Sequence, residues 1–265
     1  MAATVRLMKT PLRVAAALAA ALLLTSCSAP APSTEKAPAS STPDATEEVE
    51  APDAVESLPF NASGLLGTNA APNFEDGEPG EVSVVQIGPL EKPGLGALLL
   101  FAFRNNTAEA VGHVDWTATA RSDGAIVSTG SSQGTIPAFV QPGEVGLSYI
   151  YFENGEVIAD GAEYEFSVST SPADTSPYNT APLTVEEANI SGSAIVGAAT
   201  NKTGADTTGP YGVNIFCFEG DVIVSQHQGF TEQQELADGA TGTFTVDLYG
   251  ASCDSYAVGV GGYFS

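Results

Sequence analysis

Two hydrophobic patterns divide this chain. From Phe60 onward, apolar and polar residues alternate in short runs broken by turn residues, the period-two pattern of strands with one buried face. Val114, Trp116, Ala118 and Ala120 alternate with Asp115, Thr117, Thr119 and Arg121, which predicts a half-buried strand. Asp123-Gly124 predicts a hairpin turn after it, residues 126–129 the returning strand, and Pro142-Gly143 a further turn. Val145, Leu147, Tyr149 and Tyr151 share one face of the next strand, and alternation directs that face into a core. Residues 98–103 are apolar on both faces, as expected of a central strand. With a strand around Val82 and Val84, and another through Tyr164, Phe166 and Val168 after Asn154-Gly155, this makes a unit of about seven strands.

The same pattern then recurs. Residues 170–182 hold Pro172, Pro177 and Pro182 among Ser, Thr and Asp and read as a linker. With an offset of 96 and no gap, Asn105 falls on Asn201, Thr107 on Thr203, Gly124 on Gly220, Gly143 on Gly239 and Gly146 on Gly242. The matches sit at strand ends and turns, where a structural repeat keeps its pattern. The expected fold is therefore all-β, with a first sandwich over residues 60–170, a linker over 171–182 and a second sandwich over 183–265. Units of this size with this strand count suggest immunoglobulin-like antiparallel sandwiches.

The second hydrophobic pattern is a continuous apolar run over residues 14–24, preceded by Arg6, Lys9 and Arg13 and followed by small residues and Cys27. Eleven apolar residues are too few for a membrane span, which needs about 20. The charged, apolar, small order is that of a secretory signal over residues 1–26. Leu24-Thr25-Ser26-Cys27 resembles the lipobox of bacterial lipoproteins. That resemblance implies a diacylglyceryl group on the Cys27 thiol, cleavage just before it, and a protein held on the outer face of a bacterial cell membrane. Two acyl chains are enough for stable anchoring.

Residues 28–59 contain six prolines, seven acids, one lysine and no aromatic residue. Such a composition cannot build a core, so residues 27–59 are expected to form the lipidated end and a disordered stalk. As a coil the stalk would span on the order of 30 Å, and about 100 Å if extended.

The 32 acidic and 8 basic side chains give a formal charge of −24. Loss of the signal would remove three of the basic ones and leave −27. Such a field repels phosphate backbones and anionic lipid, which excludes nucleic acid and docking through a basic patch. With Cys27 assigned to lipid, Cys217 and Cys253 remain as an even pair in an exported protein. In an immunoglobulin-like topology Cys217 would end the third strand of the second unit and Cys253 open its penultimate one. Those strands are antiparallel neighbours, so a structural disulfide is expected. A redox-active pair would be expected at C-x-x-C spacing.

The first unit also resembles FxLYD-type and related immunoglobulin-like modules of bacterial surface lipoproteins. Arg104-Asn105-Asn106, the strand from Trp116 into Gly124, and Pro142-Gly143-Glu144 follow the order of turns in those modules. The Phe-x-Leu-Tyr-Asp motif itself is absent, with Thr117-Ala118-Thr119-Ala120-Arg121 near its place. The resemblance implies a fold and carries no ligand or site residue.

Few residues suggest chemistry. Gly130-Ser131-Ser132-Gln133-Gly134 matches the G-x-S-x-G nucleophile elbow, but that elbow needs a strand-to-helix turn and no helical pattern follows. Glu75, Asp76 and Glu78, with Glu81, are candidate calcium ligands, although no D-x-[DN]-x-[DN]-G loop accompanies them. His113 and His227 read as satisfied surface groups, and Tyr149, Tyr151 and Phe152 as core more than as a binding face. Four N-x-[ST] triplets begin at Asn61, Asn105, Asn189 and Asn201 and are uninformative beside a bacterial lipobox. The expected protein is a lipid-anchored, non-enzymatic surface module with no cofactor. It would bind a protein, an envelope component or a small molecule. Its rivals are a solute-binding lipoprotein of a transport system and an envelope enzyme.

Overall fold

A computed structural model describes residues 55–94 and 96–265. The signal, Cys27 and the stalk up to residue 54 lie outside the described residues. The strands are β1 (Gly67–Thr68), β2 (Val82–Glu91), β3 (Ala97–Asn105), β4 (Val111–Ser122), β5 (Ala125–Ile136), β6 (Val145–Phe152), β7 (Glu163–Pro172), β8 (Thr180–Ser191), β9 (Ala194–Thr200), β10 (Thr207–Glu219), β11 (Val222–Phe230), β12 (Glu235–Leu236), β13 (Thr241–Asp247) and β14 (Ser255–Phe264). Among the described residues no helix is long and apolar enough to cross a membrane. The chain is all-β, with two antiparallel sheets in tandem.

The repeat is carried by topology as well as by sequence. The first sheet runs β2-β3-β6-β5-β4-β7 and the second runs β11-β10-β14-β8-β9-β13. Matching strands through the offset of 96, both follow one cyclic order, opened at different seams. In the first sheet β5 pairs with β6 and the seam falls between β7 and β2. In the second, β8 pairs with β14 through residues 180–183 and with β9 through 184–191, and the seam falls between β13 and β11.

The repeated asparagines explain why the pattern is kept. Asn105 and Asn201 are fully buried. Asn105 Nδ2 donates to the carbonyls of Glu109 and Val140 at 2.8 and 2.9 Å, and Asn201 Nδ2 to those of Ala205 and Leu236 at 2.8 and 2.9 Å. The Thr107 and Thr203 hydroxyls donate to the respective Oδ1 atoms. Each asparagine thus satisfies the turn between two strands from inside, where unpaired backbone groups would be costly. Two of the four N-x-[ST] triplets are therefore structural turns with buried amides.

Three apolar clusters hold the molecule together. Leu99, Phe101, Phe103, Trp116, Ile150 and Phe152 centre the core of the first sheet. Leu183, Ile195, Tyr211, Ile215, Phe244 and Val258 centre that of the second, joined by Cys217 and Cys253. The third cluster lies between the sheets, where Leu100, Leu147 and Tyr149 meet Phe216, Phe218, Ile223 and Ala257, with Leu66 and Phe74 added. The two-sided burial of β3 comes from this docking. Leu99, Phe101 and Phe103 face their own core, while Leu100 and Ala102 face the other sheet. The face of β6 bearing Val145, Leu147 and Tyr149 also turns to the other sheet, and Tyr151 is 39% exposed. Alternation reported that the face is covered but not by what.

Residues 60–74 do not add a seventh strand to the first sheet. They run between the sheets, and β1 pairs with β14 through Gly67↔Val258 and Thr68↔Ala257. A Cβ at Gly67 would lie 2.4 Å from Val185 Cγ1, so only glycine permits that approach. Structured contacts also begin before Phe60, since Leu58 N donates to Gly143 O at 2.9 Å. Arg104 and Glu144 fix this strap to the first sheet. Arg104, 3% exposed, donates to the carbonyls of Leu58, Phe74, Glu75 and Gly143. The Glu144 carboxylate accepts from the backbone of Ser63 and Gln141.

Cys217 and Cys253 form a disulfide, 36 residues apart in sequence. Cys217 lies in β10, as expected. Cys253 precedes β14, which is the last strand and not the penultimate one. The cysteine still meets its partner because β14 and β10 are antiparallel neighbours, with Cys217 opposite Tyr256.

Candidate ligand-binding cleft between the sheets

The third apolar cluster fills only part of the space between the sheets. Beyond it the two sheets part around a cleft of about 340 Å³, within the size range of small-molecule sites. One wall comes from the first sheet, where β5 and the residues after it contribute Gln133, Gly134, Thr135 and Ala138, and β6 contributes Tyr149. The other comes from β10, β11 and β14 of the second sheet.

The register of the second sheet explains its wall. Gly212 on β10 pairs with Phe230 on β11 and with Gly261 on β14, so these three positions form one cross-strand row on one face. In the next row on that face Asn214 pairs with Gln228 and with Gly259. One row farther, Phe216, Gln226 and Ala257 are opposite one another, and Phe216 and Ala257 enter the cluster between the sheets. The surface thus changes from packed aromatics to amides, then to bare backbone beside an aromatic ring. Phe230 is 65% and Tyr263 40% exposed.

No Asp, Glu, Lys or Arg lines this cleft, although the chain carries 32 acids. Its polar groups are amides and hydroxyls. The Tyr149 hydroxyl donates to Gln228 Oε1 at 3.3 Å, and burial raises the pKa of that phenol, which keeps its proton available for donation. Gln226 Nε2 donates to Asn214 Oδ1 at 3.2 Å. A second recess of about 310 Å³ shares Gln133, Gly134, Thr135, Ala138 and Thr180 with the cleft and extends it toward His113 and Asp115.

Of the candidates read from the sequence, Tyr149 lines the cleft and His113 and Ser132 line the adjoining recess, while the others lie elsewhere. Glu75, Asp76 and Glu78 are exposed, and their backbone carbonyls accept from Arg104 and Asn106. Among the described residues no group of three or more His, Cys, Asp or Glu side chains is placed to hold a metal ion. Ser132 sits within β5, away from any strand-to-helix turn, and its hydroxyl accepts from Trp116 N at 3.0 Å. The Cys217–Cys253 bond belongs to the core of the second sheet. His113 is exposed and lies 3.0 Å from Asp115.

His227 differs from its expected surface role, because its Nε2 is buried without a hydrogen-bond partner. Burial lowers its pKa, and Asp247 partly opposes the shift. The folded state thus disfavours the imidazolium, while the unfolded chain accepts a proton near the ordinary histidine pKa of about 6.5. The contribution of the neutral ring is complete above that pH and is lost as pH falls below it. Relative to His227→Gln, the native chain is expected to lose stability as pH is lowered from about 7.5 to about 5. Parallel stability curves for the two proteins in denaturant titrations over that range would refute the assignment.

The lining residues Gln133, Asn214, Gln228, Phe230 and Tyr263 were not singled out by sequence reasoning. The available signal was glycine inside strand patterns, at Gly134, Gly212 and Gly261, which can mark close approach of a ligand or another backbone. No protein-family model, no curated protein and no solved structure matches this chain.

Proposed function

We propose that the protein is a non-enzymatic binding protein of the bacterial cell exterior, tethered to the membrane by lipid on Cys27, with its ligand site in the cleft between the two sheets. The observation that carries the reading is the cleft's composition. A preformed concavity lined by amides, hydroxyls and exposed aromatic rings, with no charged group, stands out on a surface dominated by carboxylates. Exposed Phe and Tyr beside carboxamide groups suit recognition, since the rings leave apolar surface in water that a ligand can cover while the amides exchange water for ligand polar groups.

The anchor and the site are tested separately. Cys27→Ser is expected to abolish the lipid-dependent mass increase and leave an uncleaved precursor or a protein shed into the medium. Unchanged mass and unchanged membrane fractionation would remove the anchor from the proposal. For the site, hydrogen exchange of the purified lipoprotein is compared with and without soluble envelope extract. Slower exchange at residues 133–135 and 228–230 is expected, and unchanged exchange at both would sink the binding reading.

A further inference from the structure

The geometry points to a neutral oligosaccharide as the ligand class of the cleft between the sheets, an inference that rests on the binding reading above. Three properties of the lining converge on it. First, the cleft holds no charged side chain, so it offers no partner for an ionic group. On a chain of formal charge −24, an anionic ligand would meet a repulsive field, and a cation would find no carboxylate in the cleft.

Second, the polar groups present are carboxamides and hydroxyls. Gln133, Asn214 and Gln228 each place a donor and an acceptor side by side, which matches hydroxyl groups that donate and accept at once. Within the described residues only the oxygen of the Asn214 and Gln228 amides is used, by Gln226 and Tyr149 respectively. Their amide nitrogens stay available. A wholly apolar ligand would strip water from these groups without replacing it.

Third, the shape suits a flat ring with one C–H face. The Phe230 ring is 65% exposed and stands in the same row as Gly212 and Gly261. The aliphatic face of a pyranose covers such a ring, while its equatorial hydroxyls reach the amides around it. The glycines in this row are not demanded by the fold. A Cβ at Gly212 would meet nothing within 4 Å, and one at Gly261 would make only ordinary contacts, at 3.6 Å to Ala181 O and 3.7 Å to Ala138 Cβ. Neither residue has a positive φ. Their missing side chains leave open backbone floor where a strand would otherwise gain from a branched residue. The adjoining recess shares five lining residues with the cleft, so the trough accommodates a chain of sugars and not only one unit, and its charged groups, His113 and Asp115, pair with each other at the far end of that recess. An extended peptide is disfavoured on the floor itself, where the backbone of β10 and β14 at Gly212 and Gly261 is already paired, and unpaired strand backbone lies at its margins, in the Gln133–Gly134 irregularity of β5 and along the outer side of β11.

The test uses the full lipoprotein in detergent with a defined panel: cellohexaose, maltohexaose, mannohexaose and the N-acetylglucosamine hexamer. The charged arms are the glucosamine hexamer and oligogalacturonate, and a neutral hexapeptide completes the panel. Side-chain amide NMR signals of Gln133, Asn214 and Gln228 report occupancy of the cleft. At least one neutral saccharide is expected to shift all three. Gly212→Val is expected to weaken that binding tenfold or more with Tm unchanged or raised, and Phe230→Ala to weaken it similarly. If only the peptide or a charged oligomer shifts these signals, the saccharide inference is overturned and the binding cleft stands. If no arm shifts them, the saccharide inference falls, and unchanged hydrogen exchange with envelope extract would take the binding reading with it. Undiminished binding by a folded Gly212→Val protein would overturn the placement of the sugar on the glycine floor.

Discussion

Replacing Arg104 with methionine is expected to cost about 3 to 5 kcal/mol of unfolding free energy. The side chain is 3% exposed. It has no carboxylate within ion-pair distance among the described residues. Its charge rests on the carbonyls of Leu58, Phe74, Glu75 and Gly143, at 3.0, 3.4, 3.1 and 2.6 Å. Desolvation lowers its pKa, and the more distant Asp76 partly compensates. Three of the four carbonyls, those of Leu58, Phe74 and Glu75, lie in the strap or just beyond its two ends, so losing the guanidinium leaves buried and part-buried acceptors unpaired along one segment. Methionine retains much of the aliphatic bulk, which separates the loss of hydrogen bonds from the loss of packing. Denaturant titration reads the free energy, and limited proteolysis should find new cleavage within residues 55–80. A loss below about 1 kcal/mol would show that the strap is held by its apolar contacts alone.

Removing the disulfide with the double substitution Cys217→Ala, Cys253→Ala is expected to cost a similar amount. The bond closes a loop of 36 residues, for which the chain-entropy model gives about 4 kcal/mol. Both sulfurs are buried in the core of the second sheet, so alanine also leaves a small void. The effect should extend beyond that sheet. Phe216 and Phe218, on either side of Cys217, enter the cluster shared with the first sheet. Unfolding is therefore expected to remain a single transition, moved to lower denaturant, when followed both by Trp116 in the first sheet and by far-ultraviolet circular dichroism. Two separated transitions would show that the sheets unfold independently, and a shift under about 1 kcal/mol would show that the loop is already restrained in the unfolded chain.

The strand pattern was legible because each sheet has its own enclosed core. Trp116, Ala118 and Ala120 are buried while His113, Asp115 and Thr117 are exposed, as period-two alternation requires. Asp123 and Gly124 both have positive φ, the condition that makes Asp-Gly a hairpin turn. The offset of 96 was legible because Asn105 and Asn201 perform the same buried hydrogen bonding, which no other side chain reproduces at that place. The cleft was not legible in the same way. Gln133 and Gln228 are nearly 100 positions apart in sequence, and each alone looks like an ordinary solvent-facing strand residue. Phe230 closes the half-exposed strand β11, where alternation gives no reason to separate an exposed ring from a buried one.

By itself the sequence determined the all-β class, the two repeats, the places of most turns and the pairing of Cys217 with Cys253. These depend on residues close in sequence, on the internal repeat, or on Cys217 and Cys253 being the two of three cysteines that lie within the repeats. Tertiary structure alone decided that the two repeats dock face to face, that residues 60–74 pass between them and pair with β14, and that the Tyr149 face of β6 meets the other sheet. It also decided that an uncharged cleft opens where this docking ends. Alternation encodes that a face is buried, whereas the identity of what buries it depends on contacts between residues far apart in the chain, and those exist only once both sheets are formed.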